Sequence, residues 1–244
     1  MSTLTMIYAG IFYTATLLLV VGLAYKIFDY SRTPAPLVIP TTPAPTTQVG
    51  VIYRMAKEVV VFESLFKANK WIWVFGWLFH FGLLLVLLRH LRYFTQPVWV
   101  WVDVLQPFGK YASFMMVIGL AGLLARRFLV DRVRYISTPS DYLMLVLILA
   151  IGMSGMMMTF VQHTDIIALK QFFMGLMYFD LQALPMDPIL LIHLSLIALL
   201  MVIFPVSKLL HAPGLFFSPT RNQVDNPRER RHIAAWAARL DQKS

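Results

Sequence analysis

The sequence contains no cysteine. Thiolate-held iron–sulfur clusters and disulfides are therefore excluded, as is haem attached through a CxxCH motif. Acidic residues are scarce, 12 in 244, and the middle of every long apolar run lacks Asp and Glu. A proton or metal pathway lined by buried carboxylates finds no support in that pattern. Charged residues make up only 14% of the chain, and no internal repeat is visible. What fills the space is apolar: 59% hydrophobic residues and a mean hydropathy of +0.68, against about 45–50% apolar residues in an ordinary soluble domain.

The excess lies in runs free of Asp, Glu, Lys and Arg, at residues 1–25, 71–88, 111–125, 142–164 and 188–207. About 20 apolar residues in helical form cross a hydrocarbon core roughly 30 Å thick. The runs are apolar all round rather than striped, which suits lipid and not a water-facing surface. The expected fold is an all-α membrane protein of one domain, a bundle of five transmembrane helices spanning about 4–28, 71–91, 110–128, 141–163 and 188–210. The third run is short and must borrow from its flanks. Caps support two of these starts: Asp187-Pro188 opens the fifth span, and Thr138, Pro139 and Asp141 open the fourth.

A net charge of +9 would suit nucleic acid on a soluble protein. Here the basic residues sit in loops, and no nucleic-acid partner is expected. Seventeen of the 21 Lys and Arg fall between spans one and two, between three and four, and in the tail. The other side has only Arg89, Arg92, Lys110 and Lys170. The positive-inside rule then places the N-terminus in the periplasm and the C-terminus in the cytoplasm, with the chain multi-pass in the cytoplasmic (inner) membrane. No basic residue precedes the first span, so it does not read as a cleaved signal peptide. Segment 31–70 is cytoplasmic on this topology. It begins with Pro34, Pro36, Pro40, Pro43 and Pro45, which favour an extended chain. Ile52, Met55, Val59, Phe62 and Phe66 then recur at helical spacing, with Arg54, Lys57, Glu58 and Lys67 on other faces. That reads as an amphipathic helix on the membrane surface, an anchor or a docking site for a soluble partner. The tail, 214–244, is cytoplasmic too. The aromatic VWVWVDV stretch, 98–104, reads as an interfacial belt.

Ionisable residues inside spans are costly and so point to function. Of six histidines, His80 and His90 lie in span two and His193 and His211 in span five. The spacings, ten and eighteen residues, rise about 15 and 27 Å on a helix, so neither pair shares a metal from one helix. The two spans run in opposite directions. His80 therefore lies level with His211, and His90 with His193, giving two sites stacked across the bilayer. Facing imidazoles suit the axial positions of a haem iron, whereas zinc wants four ligands. Pro205 stands between His193 and His211 and can bend that helix. Arg89 and Arg92, beside His90, suit anionic haem propionates. His163 reads as an interface residue and His232 as solvated. A histidine-dependent proton or metal transporter and a plain membrane anchor are the competing classes.

The segment LIHLSLIALLMVIFPVSKLLHAP, 191–213, resembles the last helix of the respiratory nitrate reductase gamma subunit. WLFHFGLLLVLLRH, 77–90, and RRFLVDRVRYISTPSDYL, 126–143, extend the likeness over roughly the last three quarters of the chain. The resemblance implies two haem b groups, one on His80 and His211 at the cytoplasmic side and one on His90 and His193 at the periplasmic side. It also puts Lys110 near an exchangeable quinone. Lys110 follows Pro107, Phe108 and Gly109, read as a turn that brings the backbone close to a ligand. IPTTPAP (39–45), FESLFKANK (62–70) and FSPTRNQVDNPRERR (217–231) resemble a different branch, the cytochrome b subunit of the membrane complex associated with dissimilatory sulfite reductase. That branch implies a cytoplasmic iron–sulfur subunit resembling heterodisulfide reductase. It further implies a periplasmic multihaem cytochrome c, a periplasmic iron–sulfur subunit and a second polytopic membrane subunit. The implied role is electron transfer between the quinone pool and the cytoplasmic partner, as the quinone-interacting subunit of an oxidoreductase in sulfur metabolism. The alternative within the superfamily is the quinol-oxidising cytochrome b of a nitrate reductase-type complex.

Overall fold

A computed structural model of the chain describes residues 2–34, 40, 42–229 and 239. Among them the regular structure is entirely helical. The α-helices, in order, are α1 (Thr3–Arg32), α2 (Gln48–Val60), α3 (Glu63–Ala68), α4 (Lys70–His90), α5 (Val100–Leu129), α6 (Asp131–Ile136), α7 (Pro139–Phe160), α8 (Ile166–Tyr178), α9 (Pro188–Ile203), α10 (His211–Gly214) and α11 (Pro219–Asn222). Five of them, α1, α4, α5, α7 and α9, are long and apolar enough to cross a bilayer. The caps form as expected. Thr138 and Asp141 make a reciprocal capping box at α7, and the Asp187 carboxylate accepts the Ile189 N–H at 2.9 Å at the start of α9. Asp187 also accepts from Gln162 and Thr164, which ties the loop carrying His163 to that cap.

The long helices neighbour one another in the order α4, α5, α7, α9, α1. α1 and α9 run the same way. Tyr8 donates to the Leu191 carbonyl at 3.0 Å near their starts, and Gly22 makes room for the Pro205 ring near their ends. α4 and α5 run antiparallel with backbones nearly touching. A Cβ on Gly82 would lie 2.7 Å from the Met116 nitrogen, and one on Gly119 would lie 2.6 Å from the Phe79 nitrogen. Lipid supplies no hydrophobic drive between helices, so close approach through small residues supplies it instead. Gly119→Val is therefore expected to cost about 2–3 kcal/mol and to disturb His80, the neighbour of Phe79. A lowered Tm in detergent would check this, and an unchanged Tm would refute it.

Three boundaries differ from expectation. The third span starts well before 110, because α5 is a single 30-residue helix. Pro107 lies inside it, and no turn forms at 107–109. Gly109 instead makes room for α4, where its Cβ would lie 2.7 Å from that of Arg89. The fifth span is broken rather than continuous to 210. α9 ends at Ile203, and short 3-10 turns follow at Phe204–Val206 and Lys208–Leu210, separated by extended Ser207. Pro205 is the physical cause, since it cannot continue the hydrogen-bond ladder. Finally, α8 was not anticipated. Its Leu169, Phe172 and Leu176 form one core with Tyr8 and Phe12 of α1, so the helix packs across the face that holds the N-terminus.

At the opposite face the chain is drawn together by charge. Asp141, 6% exposed, accepts from Lys208 Nζ at 2.6 Å and lies 3.7 Å from Arg127. Arg221, on α11, pairs with Glu58 of α2 at 3.0 Å, and Glu58 also holds Ser64. A hydrogen bond from Lys67, helped by Lys57, holds the Glu63 carboxyl below the usual carboxylate range. The expected amphipathic helix is broken in two: α2, with Ile52, Val59 and Val60 exposed, ends at Val60, Phe62 turns into the left-handed region, and Phe66 belongs to α3. Pro36, Ile39, Arg230, Arg231 and His232 lie outside the described residues.

Candidate functional site

The Pro205 break decides where His211 goes. A straight helix would carry it well past His80. The bent chain brings the two rings to 6.0 Å between centres, at 86° to one another. Metal–nitrogen bonds of about 2.1 Å, with about 1 Å from each nitrogen to its ring centre, call for roughly 6.2 Å across a shared metal. Phe62 and Phe79 pack edge-on against His80 at 5.0 and 4.6 Å. Phe62 sits in the left-handed region at φ 52°, which costs a bulky residue about 1–2 kcal/mol and places its ring at the site.

His90, at the end of α4, and His193, in α9, are the other two. His193 is only 8% exposed, and Tyr93 lies 5.8 Å from the His90 ring. Beside them Arg89 Nε and Arg92 Nη1 both donate to Gln106 Oε1 of α5, at 3.3 and 3.0 Å. Among the described residues neither arginine has a carboxylate partner. Gln106 returns a bond to the Arg89 carbonyl at 3.3 Å, so the two cations are fixed at the level of His90 with donors to spare.

All four imidazoles are engaged at Nδ1. His80 Nδ1 donates to Gly76 O at 2.7 Å, His90 Nδ1 to Val86 O at 2.6 Å and His211 Nδ1 to Lys208 O at 2.9 Å. His193 Nδ1 bonds Ser154 Oγ at 2.8 Å. A carbonyl only accepts, so each of the first three rings carries its proton on Nδ1 and leaves a bare lone pair on Nε2. No three His, Cys, Asp or Glu side chains among the described residues come together in a bare metal-ion site. A haem iron needs only two protein ligands, and His80 and His211 face one another as such a pair.

Lys110 lies one residue beyond Gly109, which packs on Arg89, and so shares the level of His90. Its ammonium sits 5.0 Å from the Phe160 ring centre and 6.0 Å from that of Tyr111. Phe114 closes the group against Phe160 at 4.9 Å.

The family model of the nitrate reductase gamma subunit matches residues 38–226. The chain belongs to the nitrate reductase gamma subunit family. The match takes in α2 through α11, all four of these histidines and Lys110. Two similar proteins are described as "Hdr-like menaquinol oxidoreductase cytochrome b-like subunit". The protein from Archaeoglobus fulgidus is 35% identical over 92% of this chain and 81% of its own length. That from Archaeoglobus profundus is 29% identical over 97% of this chain and 84% of its own. With five apolar helices in such a family, the chain is a multi-pass membrane protein. Sequence reading found the four histidines but not Ser154, Gln106, Phe62 or the Asp141–Lys208 pair. Each of these works through a contact between distant segments, and only hydroxyl, amide and charge at helix positions hinted at them.

Proposed function

We propose that this chain is the dihaem b electron-transfer subunit of a membrane oxidoreductase complex, working between the quinone pool and a cytoplasmic iron–sulfur subunit. The observation that carries the reading is four histidines within the bundle, each engaged at Nδ1, three of them through carbonyls that leave Nε2 bare, with the His80 and His211 rings 6.0 Å apart between centres. His80 and His211 hold one haem, and His90 and His193 the other. Haem b, when bound, supplies a one-electron iron couple at each level. The imidazoles would hold its iron, and their Nδ1 bonds would raise their donor strength. Arg89 and Arg92 meet the propionates of the second haem. Lys110 offers a hydrogen bond to a quinone oxygen within its aromatic group.

The basic loops support an N-terminus in the periplasm and a C-terminus in the cytoplasm. The His80–His211 level is then the cytoplasmic one. α2, α3 and the segment through Arg221 lie at that end and form the docking surface for the iron–sulfur subunit. The names of the two Archaeoglobus proteins support menaquinol as the quinone and a partner like heterodisulfide reductase. The motifs at 39–45, 62–70 and 217–231 support a place in dissimilatory sulfur metabolism, with periplasmic multihaem cytochrome c, a periplasmic iron–sulfur subunit and a second polytopic subunit as further partners. A reduced-minus-oxidised spectrum of the purified chain, with haem counted against protein, tests the reading. Two b-type haems per chain are expected. A chain without haem absorbance would fit a histidine-dependent transporter or a bare anchor and would end the proposal.

A further inference from the structure

Three of the four imidazoles are held by a carbonyl of their own chain segment, three or four residues back. His193 is the exception, because its Nδ1 partner comes from another helix. Ser154 of α7 is 9% exposed and places Oγ 2.8 Å from that nitrogen. The same Oγ lies 2.8 Å from Ala150 O and 3.0 Å from Ile151 O. With the single hydroxyl proton on either carbonyl, the oxygen accepts from His193 Nδ1–H. The neighbouring Gly155 completes the seat: a Cβ there would lie 3.4 Å from His193 Cε1, so α7 offers the ring one acceptor and one open flank.

We infer that Ser154 is a positioning residue for His193, setting both the tautomer of this axial ligand and its donor strength toward iron. The inference rests on the dihaem reading above. An imidazole whose Nδ1–H is held by an acceptor is more basic at Nε2 and favours ferric iron. Removing the acceptor weakens that preference. Only the haem on His90 and His193 should respond, because His80 and His211 bond nothing on α7.

The test is a potentiometric titration of the full haem-loaded chain, followed by optical and low-temperature EPR spectra, in wild type, Ser154→Ala and Ser154→Thr. In Ser154→Ala the couple of the His90–His193 haem is expected to rise, with its reduction equilibrium about tenfold more favourable, 59 mV for one electron. Its low-spin EPR signal shifts, while the other haem titrates as before. Threonine keeps the acceptor and restores both readouts. Loss of that haem in the alanine variant alone also supports the inference. Equal behaviour of the alanine and threonine variants, both normal or both altered, overturns it, and so does a parallel shift of both haems. Wild type holding fewer than two haems would sink the dihaem reading together with this one. Two haems with an unmoved couple would sink this one alone.

Discussion

His80→Ala is expected to bind one haem b per chain and the wild type two, and the variant to lose electron flow to the face that carries His211 altogether. The argument is local. His80 is oriented by its bond to Gly76 O and wedged by Phe62 and Phe79. It faces His211 at a distance suited to one shared iron. Alanine removes one of the two proposed ligands, and no other histidine can take its place. His90 lies ten residues further along α4, about 15 Å away, and His211 would be left as a single exposed ligand. The second level is built from other residues, held through Val86, Ser154 and Gln106, so its haem should remain and keep its spectrum. Haem extracted per protein should fall by half, and quinol should still reduce what is left. His163→Ala, altering a histidine in the α7–α8 loop, is the control and should bind both. Full haem content in His80→Ala, or loss of both haems from a protein that still folds, would show that the pairing is wrong.

Much of this arrangement could be read from the sequence, for physical reasons. A span must be apolar over about 20 residues, so five runs announced five helices. Antiparallel spans must bring His80 level with His211, and the spacing mismatch required a bend at Pro205. What could not be read is whatever depends on close approach between distant segments. Pro107-Phe108-Gly109 has turn chemistry by composition, but α5 runs straight through it, because Gly109 is needed where Arg89 crosses. α8 was hidden because Lys170 interrupts its apolar run and its partner surface belongs to α1, more than 150 residues away in sequence. Ser154 lies in a stretch of glycine and methionine where a hydroxyl signals nothing. Only the crossing of α7 and α9 gives it a histidine to hold.

Lys110→Ala is expected to slow reduction of the His90–His193 haem by a quinol analogue about tenfold or more, with haem content unchanged. The competing reading is a lysine snorkelling to the interface. Its ammonium lies against Phe160 and Tyr111, with Phe114 beyond, and among the described residues it has no carboxylate partner. An unpaired cation ringed by aromatic faces, with Tyr111 and Phe114 exposed at the bundle surface, suits a flat lipid-soluble ring bearing oxygens. Stacking holds the ring, and the ammonium donates to one oxygen and steadies negative charge as it develops. Loss of one such preorganised donor costs about 10²–10³ in rate where it meets a full oxyanion. A smaller loss is expected here, because the site opens toward lipid and the cation–π contacts already satisfy part of the charge. Gly109 ties this position to Arg89 and hence to the level of His90, so the donor stands beside the haem that would exchange with it. Lys110→Arg keeps the charge and should keep most of the rate. Phe160→Ala removes a wall without touching the donor and should weaken quinol binding more than turnover. Stopped-flow reduction at several quinol concentrations separates the two effects. Wild-type rates in Lys110→Ala, with both haems present, would make the lysine an anchor after all and move the quinone site elsewhere in the bundle.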